Sequence, residues 1–241
     1  MAAQEDQVRK AVRHFWTTRS GQSERQGGQK GARDQGERSA VTGGKHMDGF
    51  VDLVFSHLIK EGIPKQALYC NSHLELPGYF RAEKKWDLVV VHQEQLIAAI
   101  EFKAHIGPSF GNNFNNRTEE ALGNATDLWT AYREGAFQLS SRPWLGYLML
   151  LEEAPTSIAP VQPKEPHFPV FPEFKDASYR ERYVQLLSRL LRERLYDGAC
   201  LLASKRSEGK RGLFSQPCAD LGVDVFLRLL SARVYACLGT H

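Results

Sequence analysis

The stretch spanning residues 86–104, WDLVVVHQEQLIAAIEFKA, constrains this chain more than any other. Two mostly apolar runs, 87–91 and 96–103, flank a short polar break at 92–95. That pattern belongs to a β-hairpin with buried strands. Charge enters only at the open end: Asp87 where the first run begins, Glu101 and Lys103 where the second finishes. With a turn centred near Glu94, residues 88 and 100, or 87 and 101, face each other. Lys103 lies two residues beyond Glu101, so both side chains leave by the same face. The sequence thus predicts two carboxylates and an ammonium at one end of a buried sheet.

Two unpaired carboxylates close together repel, and burying them costs several kcal/mol unless something compensates. A hard divalent cation does so. Magnesium takes one or two carboxylates, keeps several waters and accepts phosphate oxygens for the rest. A lysine beside such a pair can position a water, help remove its proton, or neutralise charge on a phosphate under attack. The residues suit hydrolysis of a phosphodiester. The alternative is that Lys103 simply pairs with Glu101 or Asp87, as charges at sheet edges often do to block unwanted pairing.

The remaining chain predicts an α/β domain with a sheet core and flanking helices. Residues 7–16, QVRKAVRHFW, suit a short amphipathic helix. Residues 17–46 are rich in glycine, arginine and glutamine and predict a flexible arm. Six basic residues and three acids fall between Thr17 and Lys45, which accounts for the whole formal charge of +3. A nucleic-acid role therefore needs a local patch and cannot rest on global charge. From residue 47 to 241 the pattern is that of one domain. It predicts helices near 47–62, 118–137, 176–196 and 221–238, strands at 69–76, 144–152 and 199–204, and a loop at 107–117. Prolines at 160, 163, 166, 169 and 172 recur every third residue, within a strap at 155–173. That is the period of polyproline II, and it suits either a stiff strap or a ligand for a proline-reading module. No apolar run reaches the length of a membrane span, the N-terminus lacks a secretory pattern, and the four cysteines are scattered. A cytoplasmic protein is expected.

WD…EFK resembles the PD-(D/E)xK nuclease superfamily, with Trp86 where proline is usual. The blocks LYCNSHLELPGYFRAEKKWDLVVV and EFKAHIGPSFGNNFNNRTEEALGNATDLWTAYREGAF resemble, more specifically, the XhoI family of type II restriction endonucleases. That resemblance runs from about residue 47 to near the C-terminus. It implies a central mixed β-sheet flanked by helices, in a homodimeric, magnesium-dependent enzyme. It further implies cutting of double-stranded DNA at the palindrome CTCGAG, after the first C, leaving 5′ overhangs with 5′-phosphate ends. A companion DNA methyltransferase of the same specificity is implied as well. Carried onto this chain, Asp87 and Glu101 become metal ligands, with the backbone carbonyl of Phe102, and Lys103 orients or activates the attacking water. A further acid could come from Asp48, Asp52, Glu61 or Glu75.

For sequence reading, Arg suits guanine and Asn suits adenine in the major groove. The segment GNNFNNR supplies Asn112, Asn113, Asn115, Asn116 and Arg117 just after the second strand, though asparagine and glycine also simply turn a chain. Lys84, Lys85, Lys205 and Arg206 are candidates for phosphate contacts, which position without specifying, or for solvated charge. Glu119, Glu120 and Asp127 are expected on the solvated face of a helix. Two other readings fit the same three residues: a structure-selective nuclease such as a resolvase or repair enzyme, and a DNA-binding module without catalysis.

Overall fold

In the computed structural model, residues 2–27, 44–138 and 140–238 are described. Much of the expected arm, 28–43, lies outside them. The core is a five-stranded mixed sheet in the order β1-β4-β5-β6-β7. Its strands are β1 (Leu68–Tyr69), β4 (Leu88–His92), β5 (Gln95–His105), β6 (Trp144–Glu152) and β7 (Gly198–Ser204). β1, β4 and β5 pair antiparallel; β5, β6 and β7 pair parallel. A separate hairpin joins β2 (Glu75–Pro77) and β3 (Glu83–Lys85). β6 is buried along its whole length, as a parallel strand covered on both faces must be.

Helices cover both faces. Helices α1 (Ala2–Gly27), α2 (Asp48–Lys60) and α5 (Val223–Leu238) pack on one, with Phe15, Phe50, Leu58 and Phe226 against Leu88, Ile100 and Leu148. On the other lie α3 (Phe110–Arg133) and α4 (Tyr179–Arg192), with Ala121, Leu128 and Leu187 against Val89, Ala99 and Met149. Among the described residues, no helix is long and apolar enough to cross a membrane.

Three local expectations change. The first helix does not stop at Trp16 but runs to Gly27, with Thr17 and Ser20 hydroxyls bonding back to the Arg13 and Trp16 carbonyls. Val8, Val12, Phe15 and Trp16 on α1 are buried, so the sheet core anchors this helix. The strand expected at 69–76 is instead two short strands in different sheets, parted by a bend with His73 at φ 58°. Residues 110–117, expected as loop, are the opening turns of α3. Asparagine-rich composition argues for a turn, but Phe110 and Phe114 pack on Tyr179, Tyr183 and His105, and this packing overrides propensity.

The β4–β5 hairpin turns at Gln93 and Glu94, both at positive φ, the two-residue turn that matches strand twist. His92 pairs with Gln95, and that register continued unchanged would set Asp87 opposite Ile100. A bulge intervenes. Val91 pairs with Leu96 and Val90 with Ala98, leaving Ile97 without an opposite residue. Beyond it Leu88 faces Ile100, as expected, while Asp87, just before β4, gives its N–H to the Ile100 carbonyl at 3.3 Å. One extra residue thus sets which side chains of β5 face those of β4.

Candidate active site

Glu101 sits on the face of β5 that α3 covers, above Ala99 and beside Tyr147 of β6. Its side chain is only 3% exposed and meets two lysines: Lys103 pairs with Oε1, and Lys84 Nζ lies 2.8 Å from Oε2. Asn124 of α3 donates to the same Oε2 at 3.2 Å. Burial alone would push the Glu101 carboxyl up, but Lys103 and then Lys84 outweigh it and hold the group below its usual range. Conversely, burial would lower Lys103, and the charges of Glu101 and Asp87 raise it instead. Both groups are charged near neutral pH.

Asp87 is placed differently. Its Oδ2 accepts the Phe102 N–H at 2.7 Å, and among the described residues it has no ion pair within 4 Å. Burial, with a further push from Glu101, raises its carboxyl above the usual range, against the pull of Lys103, the Phe102 N–H and Lys84. This is a carboxylate short of positive charge, next to one that has plenty. The donor chemistry fits a hard cation: two carboxylates near the open end of the hairpin, with the Phe102 N–H bonded to one of them. Among the described residues no cluster of three or more His, Cys, Asp or Glu could hold an ion, so a metal here would rest on Asp87, Glu101, a carbonyl and water. That is ligation of the kind magnesium takes.

The candidates for the further acid separate. Asp48 and Asp52 act on the Cys70 thiol just past β1, while Glu61, past the far end of α2, acts on His57 and Tyr235. Glu75 is exposed and pairs in register with Lys85, whereas Lys84, pairing with Leu76, turns inward to Glu101. Glu75 therefore leaves the hairpin on the side away from the cluster.

The sequence reading missed how much α3 contributes. Arg117, Glu120, Asn124 and Asp127 form a stripe at helical spacing. Asn124 reaches Glu101, and Arg117 pairs with Glu120 while its charge bears on Lys103 and His105. Asp127 is not on a solvated face: it is 4% exposed and accepts the Tyr79 and Phe80 N–H groups and Arg81 Nε at 2.7–2.8 Å. Those backbone bonds and Arg81 hold its carboxyl below the usual range, outweighing burial. The regular spacing was a readable signal, although a polar helical stripe more often faces water.

Lys84 is also not a free surface charge. Besides Glu101, its ammonium lies 4.4 Å from the Trp86 ring centre, so the tryptophan at the usual proline position forms a platform for it. Lys85 is exposed. Asn112, Asn115 and Asn116 are exposed on the first turns of α3, with Asn113 and Arg117 half-buried. Lys205 makes only a 3.7 Å pair with Glu208, but Arg206 grips both oxygens of Glu152 at 3.0 and 3.1 Å. Glu152 in turn accepts the Gly107 N–H at 2.9 Å, so Arg206 braces the connection from β5 to α3.

The family described as "Restriction endonuclease XhoI" matches residues 26–216. Type II restriction enzyme BstVI of Geobacillus stearothermophilus is 51% identical over 86% of this chain and 94% of its own length. AbrI of Azospirillum brasilense is 50% identical over 65% of this chain and 70% of its own, and XhoI of Xanthomonas vasicola 44% over 76% and 74%. Both are also type II restriction enzymes. No solved structure matches.

Proposed function

Because the chain belongs to the XhoI family of type II restriction endonucleases, within the PD-(D/E)xK superfamily, we propose that it cuts double-stranded DNA at CTCGAG with magnesium. Cutting after the first C leaves 5′ overhangs with 5′-phosphate ends. The observation that carries this reading is the placement of Asp87, Glu101 and Lys103 around the Phe102 peptide at the open end of one hairpin.

In this reading Asp87 and Glu101 hold the cation, with the Phe102 carbonyl as a further oxygen. Magnesium, when bound, stabilises charge developing on the phosphate and makes a bound water more acidic. Lys103, fixed by Glu101, orients the attacking water towards phosphorus and stabilises the negative charge that builds there. Asn124 fixes the Glu101 carboxylate from the helix side. Lys84, on the same oxygen as Asn124, balances the Glu101 charge from the side away from Lys103. A palindrome suits a two-fold homodimer, each subunit meeting the same half-site. A DNA methyltransferase of matching specificity is the expected partner in the host.

A plasmid digest with magnesium, followed by sequencing of the fragment ends, tests the proposal. The expected result is discrete fragments, each beginning TCGAG at its 5′ end. Cutting only at branched structures or at DNA ends would favour a structure-selective nuclease; retention of DNA without cleavage would favour a binding module.

The exposed opening of α3 is the proposed base-reading element. Helix openings enter the major groove in several DNA-binding folds, and asparagine and arginine there discriminate bases by about 1–3 kcal/mol per good pair. Asn113→Ala and Arg117→Ala are expected to weaken binding to a CTCGAG duplex about tenfold more than binding to random duplex, in competition titrations with calcium. Equal losses on both duplexes would reassign these residues to the backbone.

A further inference from the structure

The hairpin of β2 and β3 ends in a loop whose tip presents two large aromatic rings to solvent. Tyr79 is 54% exposed and Phe80 71%, and the rings meet edge to face at 5.0 Å. Single exposed apolar side chains are ordinary; two adjacent ones on a loop this firmly held are not.

The loop is held from beneath. One oxygen of the buried Asp127 accepts the N–H groups of both Tyr79 and Phe80, each at 2.8 Å, and the other accepts Arg81 Nε at 2.7 Å. Arg81 Nη2 also donates to Asn124 Oδ1 at 2.8 Å. Just before the rings, Gly78 comes so close that a Cβ there would lie 2.5 Å from Asp127 Oδ2 and 2.7 Å from the Arg81 carbonyl oxygen. Only glycine allows this approach. The backbone that carries the rings is therefore fixed by a carboxylate, a guanidinium and a glycine, while the rings themselves stay outside.

The same chain of bonds leads to the candidate active site. Asn124, which takes Arg81 on its oxygen, gives its amide to Glu101. A single asparagine thus separates the loop from the carboxylate proposed to face the scissile phosphate. β3 itself places Lys84 on that carboxylate. A duplex that brings a phosphate to Glu101 therefore passes close to this loop, with a major groove about 12 Å wide to receive side chains.

We propose that Tyr79 and Phe80 are a rigid aromatic contact to DNA, seated in a groove beside the phosphate to be cut. This rests on the reading of Asp87, Glu101 and Lys103 as the cleavage site. Aromatic side chains of this kind pack on sugars and bases or wedge between base steps, and fixing their backbone beforehand reduces the ordering cost of binding. Arg81, Asp127 and Gly78 act through the loop, as positioning residues.

The test is equilibrium binding of the full chain to a duplex containing the cut site, with calcium in place of magnesium and the oligomeric state followed by light scattering. Both rings are exposed, so Tyr79→Ser with Phe80→Ser leaves the core untouched. The double variant is expected to bind at least fivefold more weakly, with the oligomeric state unchanged, and the ring-keeping Tyr79→Phe with Phe80→Tyr pair to restore most of the loss. Gly78→Ala, which keeps both rings but displaces their support, is expected to weaken binding in the same direction. A loss smaller than fivefold in the double variant would overturn the proposal. So would a loss that accompanies dissociation into monomers, since the rings would then cover a protein interface. If the unaltered protein itself fails to retain the duplex, the endonuclease reading falls first, and the loop proposal with it.

Discussion

Asp87→Asn and Lys103→Ala are each expected to reduce cutting of a plasmid about a thousandfold or more, while binding to the same DNA in calcium changes little. The magnitude follows from removing a group that acts on developing charge within a partly dry site, where single electrostatic contributions are large. Asparagine at 87 keeps the hydrogen bond from the Phe102 N–H and removes only the charge. Alanine at 103 removes the ammonium but leaves Lys84 to balance Glu101. Single-turnover cleavage and gel retardation on one preparation separate the two effects. Full cutting by either variant would remove that residue from the mechanism.

Glu101→Ala is expected to behave otherwise, because it damages the fold as well as the chemistry. The glutamate is the common counter-charge of two largely buried lysines, and without it both lose the carboxylate they directly contact. Breaking a buried ion pair from one side costs about 3–5 kcal/mol. Thermal unfolding should therefore show a much lower midpoint for Glu101→Ala. Asp87→Asn should unfold no earlier than the unaltered protein. The sign follows from the raised carboxyl of Asp87: burial and Glu101 make its ionised form costly in the folded state, so at neutral pH a neutral amide relieves that cost. Equal destabilisation by the two substitutions would contradict the unequal charge balance of the two acids.

These contrasts show what the sequence could and could not reveal. The hairpin, the facing of residues 88 and 100 and the company of Asp87, Glu101 and Lys103 were legible, because apolar runs ending in charges permit few arrangements. The bulge at Ile97 was not. An isoleucine in an apolar run carries no local mark of being the unpaired residue, and the two-residue turn alone predicts a register one step off. The opening of α3 was misread because asparagine and glycine are turn formers locally, whereas aromatic contacts to α4 decide its conformation. Asp127 was misread for a related reason: its partners are backbone N–H groups far off in the chain, and side-chain spacing does not report those. The proline-rich segment at 155–173 is largely exposed and is tied down by Arg182 on the Val161 carbonyl.

The pairing of Asp87 with Glu101 as joint holders of one divalent cation is most directly tested by manganese binding, followed by electron paramagnetic resonance, on the DNA-bound protein at low temperature. The unaltered chain is predicted to immobilise manganese in the presence of a CTCGAG duplex, and Asp87→Asn to leave the ion free in solution at the same concentrations. Undiminished manganese binding by Asp87→Asn would contradict the account, since the ion would then be held without the second carboxylate of the site.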